Sequence, residues 1–114
     1  MHTVDLDRPR EVKFDIKAVQ QLEQQLGKPL GLVLTDIQNF GVSAIITALW
    51  LGLQHEDKAL TRGLTEKFFT SYVTDKKRIR LLIRTISEAM EATGLFQTDD
   101  EVPEGNATPE PATP

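Results

Sequence analysis

Apolar and polar residues follow two different periods along this chain. From Thr3 to Ile16 they alternate. Val4 and Leu6 share one face, and Val12, Phe14 and Ile16 share another. Such alternation marks β-strands, and Asp7-Arg8-Pro9-Arg10 between the runs reads as a turn, so a small N-terminal β-hairpin is expected. Two strands alone are marginal in water, so this hairpin must pack on the rest of the chain. After Asp15, a candidate N-cap, the period becomes helical.

The most informative stretch is Gly41 to Thr61, GVSAIITALWLGLQHEDKALT. Val42, Ile45, Ile46, Leu49 and Leu53 lie on one helical face, while Ala44, Ala48 and Leu51 occupy the other side. A helix that is apolar all round is buried all round, which predicts a central helix with the other elements packed around it. Ser43 is the expected N-cap. The apolar run is too short to span a membrane, which takes about 20 residues.

Four more helices are expected around it. The first, Ile16 to Leu26, buries Ile16, Val19, Leu22 and Leu26 and stops at Gly27; Pro29 opens the next. The second, Pro29 to Phe40, buries Leu30, Val33, Leu34 and Ile37. The fourth begins at a Thr61 or Thr65 cap and ends near Val73, with Leu64, Phe68 and Tyr72 on one stripe and Phe69 and Val73 on its neighbour. The fifth is capped by Thr74 or Asp75, buries Ile79, Leu82, Ile83, Ile86 and Met90, and closes at Gly94. Leu95 and Phe96 are expected to fold back onto the core. The predicted fold is thus mainly α: about five helices around a buried central one, with an N-terminal hairpin.

Charge divides the 114 residues in two. The net charge is −4, but Gln97 to Pro114 holds five acidic residues, four prolines and no base. Residues 1–96 then carry 13 basic and 12 acidic groups. The chain therefore reads as a helical domain over 1–96 and an acidic, Pro-rich tail over 97–114 that lacks the apolar residues to offset its ordering entropy, and disorder is expected there. There is no cysteine, hence no disulfide or thiolate metal site. MHTVDLDRPR has no apolar run of the kind a secretory signal needs, so none is expected.

Candidate chemistry is sparse. His55-Glu56-Asp57 is the only cluster with a catalytic look, but no second His follows at metal-binding spacing, and a polar helix end with a turn accounts for it. No serine sits in a nucleophile-elbow context, and there is no phosphate-binding or dinucleotide glycine motif. No enzyme activity, metal or cofactor is expected. Trp50 reads as a core residue rather than a ligand platform. Lys76, Arg80 and Arg84, at i, i+4 and i+8, form a basic stripe on the fifth helix, where a solvated face is the ordinary explanation. Lys77 and Arg78 add cations at a helix N-terminus, which the helix dipole disfavours, and so favour an acidic partner, the chain's own acidic tail being one candidate.

Ala48 to Thr61, ALWLGLQHEDKALT, resembles the signature stretch of bacteriophage and gene-transfer-agent tail assembly chaperones. There a Leu-rich helix runs into Gly-Leu, then His-Glu-Asp, then a Leu-Thr that starts the next helix. The matching residues are Trp50, Gly52, Leu53, His55, Glu56, Asp57, Leu60 and Thr61. Phe14 to Leu30 resembles the strand and Leu-Glu…Leu-Gly helix of the same family. Lys58 departs from the Pro or small residue common there. The resemblance implies a non-enzymatic role in the host cytoplasm: binding the tape-measure protein, keeping its long apolar helices soluble and recruiting tail-tube subunits. It also implies absence from the mature particle, and it leaves room for self-association.

A partner-binding surface is expected where apolar residues lie off the main stripes of the fourth and fifth helices, at Phe69, Val73 and Leu81, beside Lys76, Arg80 and Arg84. The alternative reading is a small helical DNA-binding regulator using the fifth helix. The near-neutral charge of residues 1–96 and the lack of a helix-turn-helix spacing argue against nucleic acid as a partner. Deleting Gln97 to Pro114 is expected to leave the thermal midpoint nearly unchanged; a drop of several degrees in a calorimetric scan would show that the tail supports the domain.

Overall fold

The computed structural model describes residues 2–95. Their order is β1 (Thr3–Asp5), β2 (Pro9–Glu11), α1 (Ile16–Leu26), α2 (Leu30–Gln38), α3 (Val42–Leu53), α4 (Arg62–Tyr72) and α5 (Lys76–Glu91). The fold is mainly α, with an antiparallel N-terminal hairpin. The residues expected to form the tail lie outside the described ones.

Helix α3 is the centre. Nine of its twelve residues are buried, including Ala44, Ala48 and Leu51 on the side opposite Ile45, Leu49 and Leu53. It is packed by α1, α2, α4, α5 and β2. No single described helix is long and apolar enough to cross a membrane. The pair α2–α3 passes on composition only as a broken span bent by 116°, and α3's apolar surface lies inside the domain.

Capping fixes most helix starts. The Asp15 carboxylate accepts from the Ala18 N–H at 2.7 Å, Thr61 Oγ1 from Leu64 at 3.1 Å, and Asp75 from Arg78 at 2.9 Å. Each satisfies an N–H that the first turn leaves without a partner. Ser43 is not a cap: α3 begins two residues earlier than that cap would place it, at Val42, with Gly41 at the N-cap and no side-chain cap bond. The reason lies in α2. Its C-terminus closes by Gly41 N–H to Asp36 O at 2.7 Å and Phe40 N–H to Ile37 O at 3.1 Å, a Schellman closure that delivers Gly41 directly to the start of α3. A Cβ on Gly41 would lie 2.8 Å from that Asp36 oxygen.

Several apolar positions expected inside lie outside. Ile16 is 55 % exposed and Val42 50 % exposed. Both open their helices, and side chains there lean back toward the N-terminus, past the end of the packed face. Leu64, in the first turn of α4, is exposed for the same reason, and Thr65 takes the buried place with Tyr72. Leu34 and Leu26 are only partly covered. Leu95 does not fold back: it is exposed beyond Gly94, which turns the chain at φ 84°. Phe96 lies outside the described residues.

The hairpin is shorter and shifted. Thr3 pairs with Glu11, Val4 with Arg10 and Asp5 with Pro9, so Pro9 and Arg10 belong to β2 rather than the turn. Proline is tolerated as the first residue of a strand, where no ladder N–H is required of it. Val12 and Phe14 continue extended and reach the core, and Lys13 N–H donates to Gly52 O at 2.9 Å. This is a close approach of backbone to helix. A Cβ on Gly52 would stand 2.7 Å from Val12 Cγ1 and 3.0 Å from Phe14 Cζ. Gly52→Ala should therefore destabilise by roughly 1–3 kcal/mol through overpacking, against the ~1 kcal/mol that helix propensity alone would gain. Urea denaturation checks the sign, and a more stable alanine variant would show that the segment yields.

Candidate functional site

The signature stretch forms a clasp between the end of α3 and the hairpin. His55 Nε2–H donates to the Glu11 carbonyl at 2.9 Å, and Glu56 Oε1 accepts from the Glu11 N–H at 3.2 Å. Both backbone groups of one strand residue are thus held by adjacent side chains 44 and 45 positions away. Asp57 turns the chain, accepting from Ala59 N–H at 3.2 Å. Its other oxygen faces Arg10 Nη1 at 3.6 Å.

Arg10 is the buried cation of this region, only 4 % exposed. Its Nε and Nη2 bind Asp7 at 2.6 and 2.8 Å, a bidentate pair, and its guanidinium lies 5.1 Å from the centre of the Phe68 ring. Nη1 is buried without a hydrogen-bond partner among the described residues, so the Asp57 carboxylate beside it serves as counter-charge. The two-pronged bond from Arg10 pulls the Asp7 carboxyl down to about 2. The sequence reading placed Arg10 in the turn; the local signal for it is the Asp7–Arg10 spacing of three.

The remaining motif residues close the other side of the same turn. Trp50 Nε1–H and Gln54 Nε2–H both donate to Leu60 O at 2.8 Å, Leu53 and Leu60 are buried, and Thr61 caps α4. Trp50 is half-buried and ties α3 to the loop that leaves it. Glu11, His55 and Glu56 also bring three metal-capable donors within 4.8 Å of one another. A His and two carboxylates suit a divalent cation, but His55 Nε2 and Glu56 Oε1 are already engaged by the Glu11 backbone. The sequence did not suggest this set because Glu11 comes from the hairpin.

The expected partner surface divides. Phe69 and Val73 are half-buried and pack against the core. Both Phe68 and Phe69 therefore contact the interior, where one was expected to face out. Leu81 is 51 % exposed, and Lys76, Arg80 and Arg84 are exposed along α5 as their spacing requires. Arg84 reaches Glu88 at 3.4 Å; Lys76 and Arg80 make no ion pair among the described residues. Tyr72 lies under Arg78, whose guanidinium carbon is 4.7 Å from the ring centre, and burial pushes its hydroxyl pKa up.

A groove of about 300 Å³ runs beside this stripe, between α5 and the end of α2, lined by Gln38, Phe40, Arg80, Ile83, Arg84, Ser87, Glu88 and Glu91. Two of these residues are unusual. Phe40 occupies the left-handed position of the α2 closure at φ 64°, where α1 has Gly27 at φ 66°, and its ring is 47 % exposed. An L-residue there costs about 1–2 kcal/mol. Ser87 Oγ is buried without a hydrogen-bond partner among the described residues. Neither was singled out from sequence; the Phe-Gly pair ending α2 was the available signal.

No protein-family model, curated protein or solved structure matches the chain.

Because the Asp7 pKa is lowered by the folded state, its pairing with Arg10 contributes stability above the ordinary carboxylate value of 3.8, and that contribution disappears as the pH falls toward 2. Asp7→Asn is expected to be less stable than the parent at pH 6. The gap should close between pH 4 and pH 2, as read by denaturation at each pH. A gap that persists at pH 2 would show that Asp7 acts through something other than its charge.

Proposed function

We propose that this protein is a tail assembly chaperone: a non-enzymatic binding domain that keeps a phage or phage-like tape-measure protein soluble in the host cytoplasm and assists recruitment of tail-tube subunits. The observation that carries this reading is the Ala48–Thr61 stretch. Its His-Glu-Asp supports an architectural role, since His55 and Glu56 are engaged by the hairpin backbone and Asp57 faces a buried arginine. A motif that organises a turn suits a family defined by a binding scaffold. Large apolar side chains left exposed on a small helical domain, among them Leu32, Leu64 and Leu81, are consistent with recognition of an amphipathic helix through apolar anchors. A tape-measure protein offers such helices repeatedly, so many weak contacts along one partner would add by multivalency.

The test is co-expression with the tape-measure gene of the same genome. The long protein is expected to become soluble and to co-purify with several copies of this one. Leu81→Glu, on an exposed position, should reduce co-purification without lowering the thermal midpoint. If the tape-measure protein stays insoluble and none of its fragments binds at low salt, the reading fails. If it binds and Leu81→Glu has no effect, the surface lies elsewhere.

A further inference from the structure

The groove wall on α5 carries a charge order opposite to the one a helix favours for itself. Along the helix Arg80 and Arg84 come first, and Glu88 and Glu91 follow toward its C-terminus. Lys76, Lys77 and Arg78 fill the first turn and Glu88 and Glu91 the last, against the helix dipole, with the Asp75 cap as an offsetting anion at the start. At about 100° per residue these four positions fall within one stripe of roughly 80°, on the side of α5 that borders Phe40. A stripe reading basic then acidic is its own complement when reversed. The pairs Arg80–Glu91 and Arg84–Glu88 are both centred within half a residue of Ile86, so one two-fold axis there would satisfy both.

The geometry points to a homodimer in which α5 of one copy lies antiparallel to α5 of a second copy, Arg80 and Arg84 facing the other copy's Glu91 and Glu88. The interface is isologous, using the same patch on both subunits. The intrachain Arg84–Glu88 contact is exposed at 3.4 Å and exchanges partners at little cost. Phe40 supplies the apolar contact beside the charged stripe. Its left-handed backbone and half-exposed ring cost the isolated subunit stability, which an intermolecular contact would explain. This inference concerns the chain alone and stands apart from the tail-assembly reading.

Two charge-reversed proteins test it. Arg80→Glu/Arg84→Glu makes the stripe wholly acidic, and Glu88→Arg/Glu91→Arg makes it wholly basic; all four positions are exposed, and circular dichroism verifies folding. In sedimentation equilibrium at low salt the parent mass should rise with concentration from 12.8 kDa toward twice that value, and fall back when salt is added. Each reversed protein should remain monomeric, and an equimolar mixture of the two should dimerise again. Phe40→Gly should weaken the parent dimer at least tenfold without lowering the thermal midpoint. A parent that stays monomeric at the highest concentration reached overturns the proposal. So does a reversed protein that dimerises like the parent, or a mixture that stays monomeric.

Discussion

Burying α3 on every side sets a demand that the other elements have to meet. Helices cover most of it, and the sector at its C-terminal end is left to the N-terminal hairpin segment. There the extended segment after β2 comes down to backbone contact, with Lys13 N–H on Gly52 O and the Val12 and Phe14 side chains against the missing Cβ. Gly52 is therefore where helix and strand geometry are reconciled. The clasp formed by His55, Glu56 and Asp57 follows from it: once the strand lies against α3, the residues leaving α3 stand beside Glu11 and Arg10 and can hold them. An apolar helix, one absent side chain and one polar turn act as a unit.

How far the sequence conveyed this depends on the range of each interaction. Caps at Asp15, Thr61 and Asp75 are local, three residues from donor to acceptor, and they were legible, Asp15 outright and Thr61 and Asp75 each as one of two candidates. So was α3, because a pattern with no polar side admits one explanation. Errors of burial at Ile16, Val42 and Leu64 share a cause: periodicity treats all turns of a helix alike, whereas the first turn projects its side chains beyond the packed region. Pro9 and Arg10 read as a turn because proline and charge mark turns on average; here an ion pair with Asp7 and Asp57 lets the arginine enter the interior.

The candidate site was legible only in outline. His55-Glu56-Asp57 stood out by composition, but its role rests on partners 44 to 47 residues distant, and no single-sequence pattern encodes such a distance. The basic stripe of α5 was visible, while the groove beside it was not, because that groove needs Phe40 at the end of α2 to form its second wall. Phe69 and Val73 look surplus on a helical wheel of α4 alone, yet they find cover once the neighbouring elements are placed.

The clasp also bears on the order in which the chain acquires structure. The hairpin is synthesised before α3, and Arg10 has Asp7 beside it, but Glu11 has no counterpart until His55 and Glu56 have left the exit tunnel. Until then two three-residue strands have little to hold them. The helices, built from near neighbours, do not wait in this way. The hairpin is thus made before its clasp and is among the last elements secured. During that interval its unpaired strand edges are open to other nascent chains, and short strands joined by a turn carrying Asp7 and Arg8 limit that hazard.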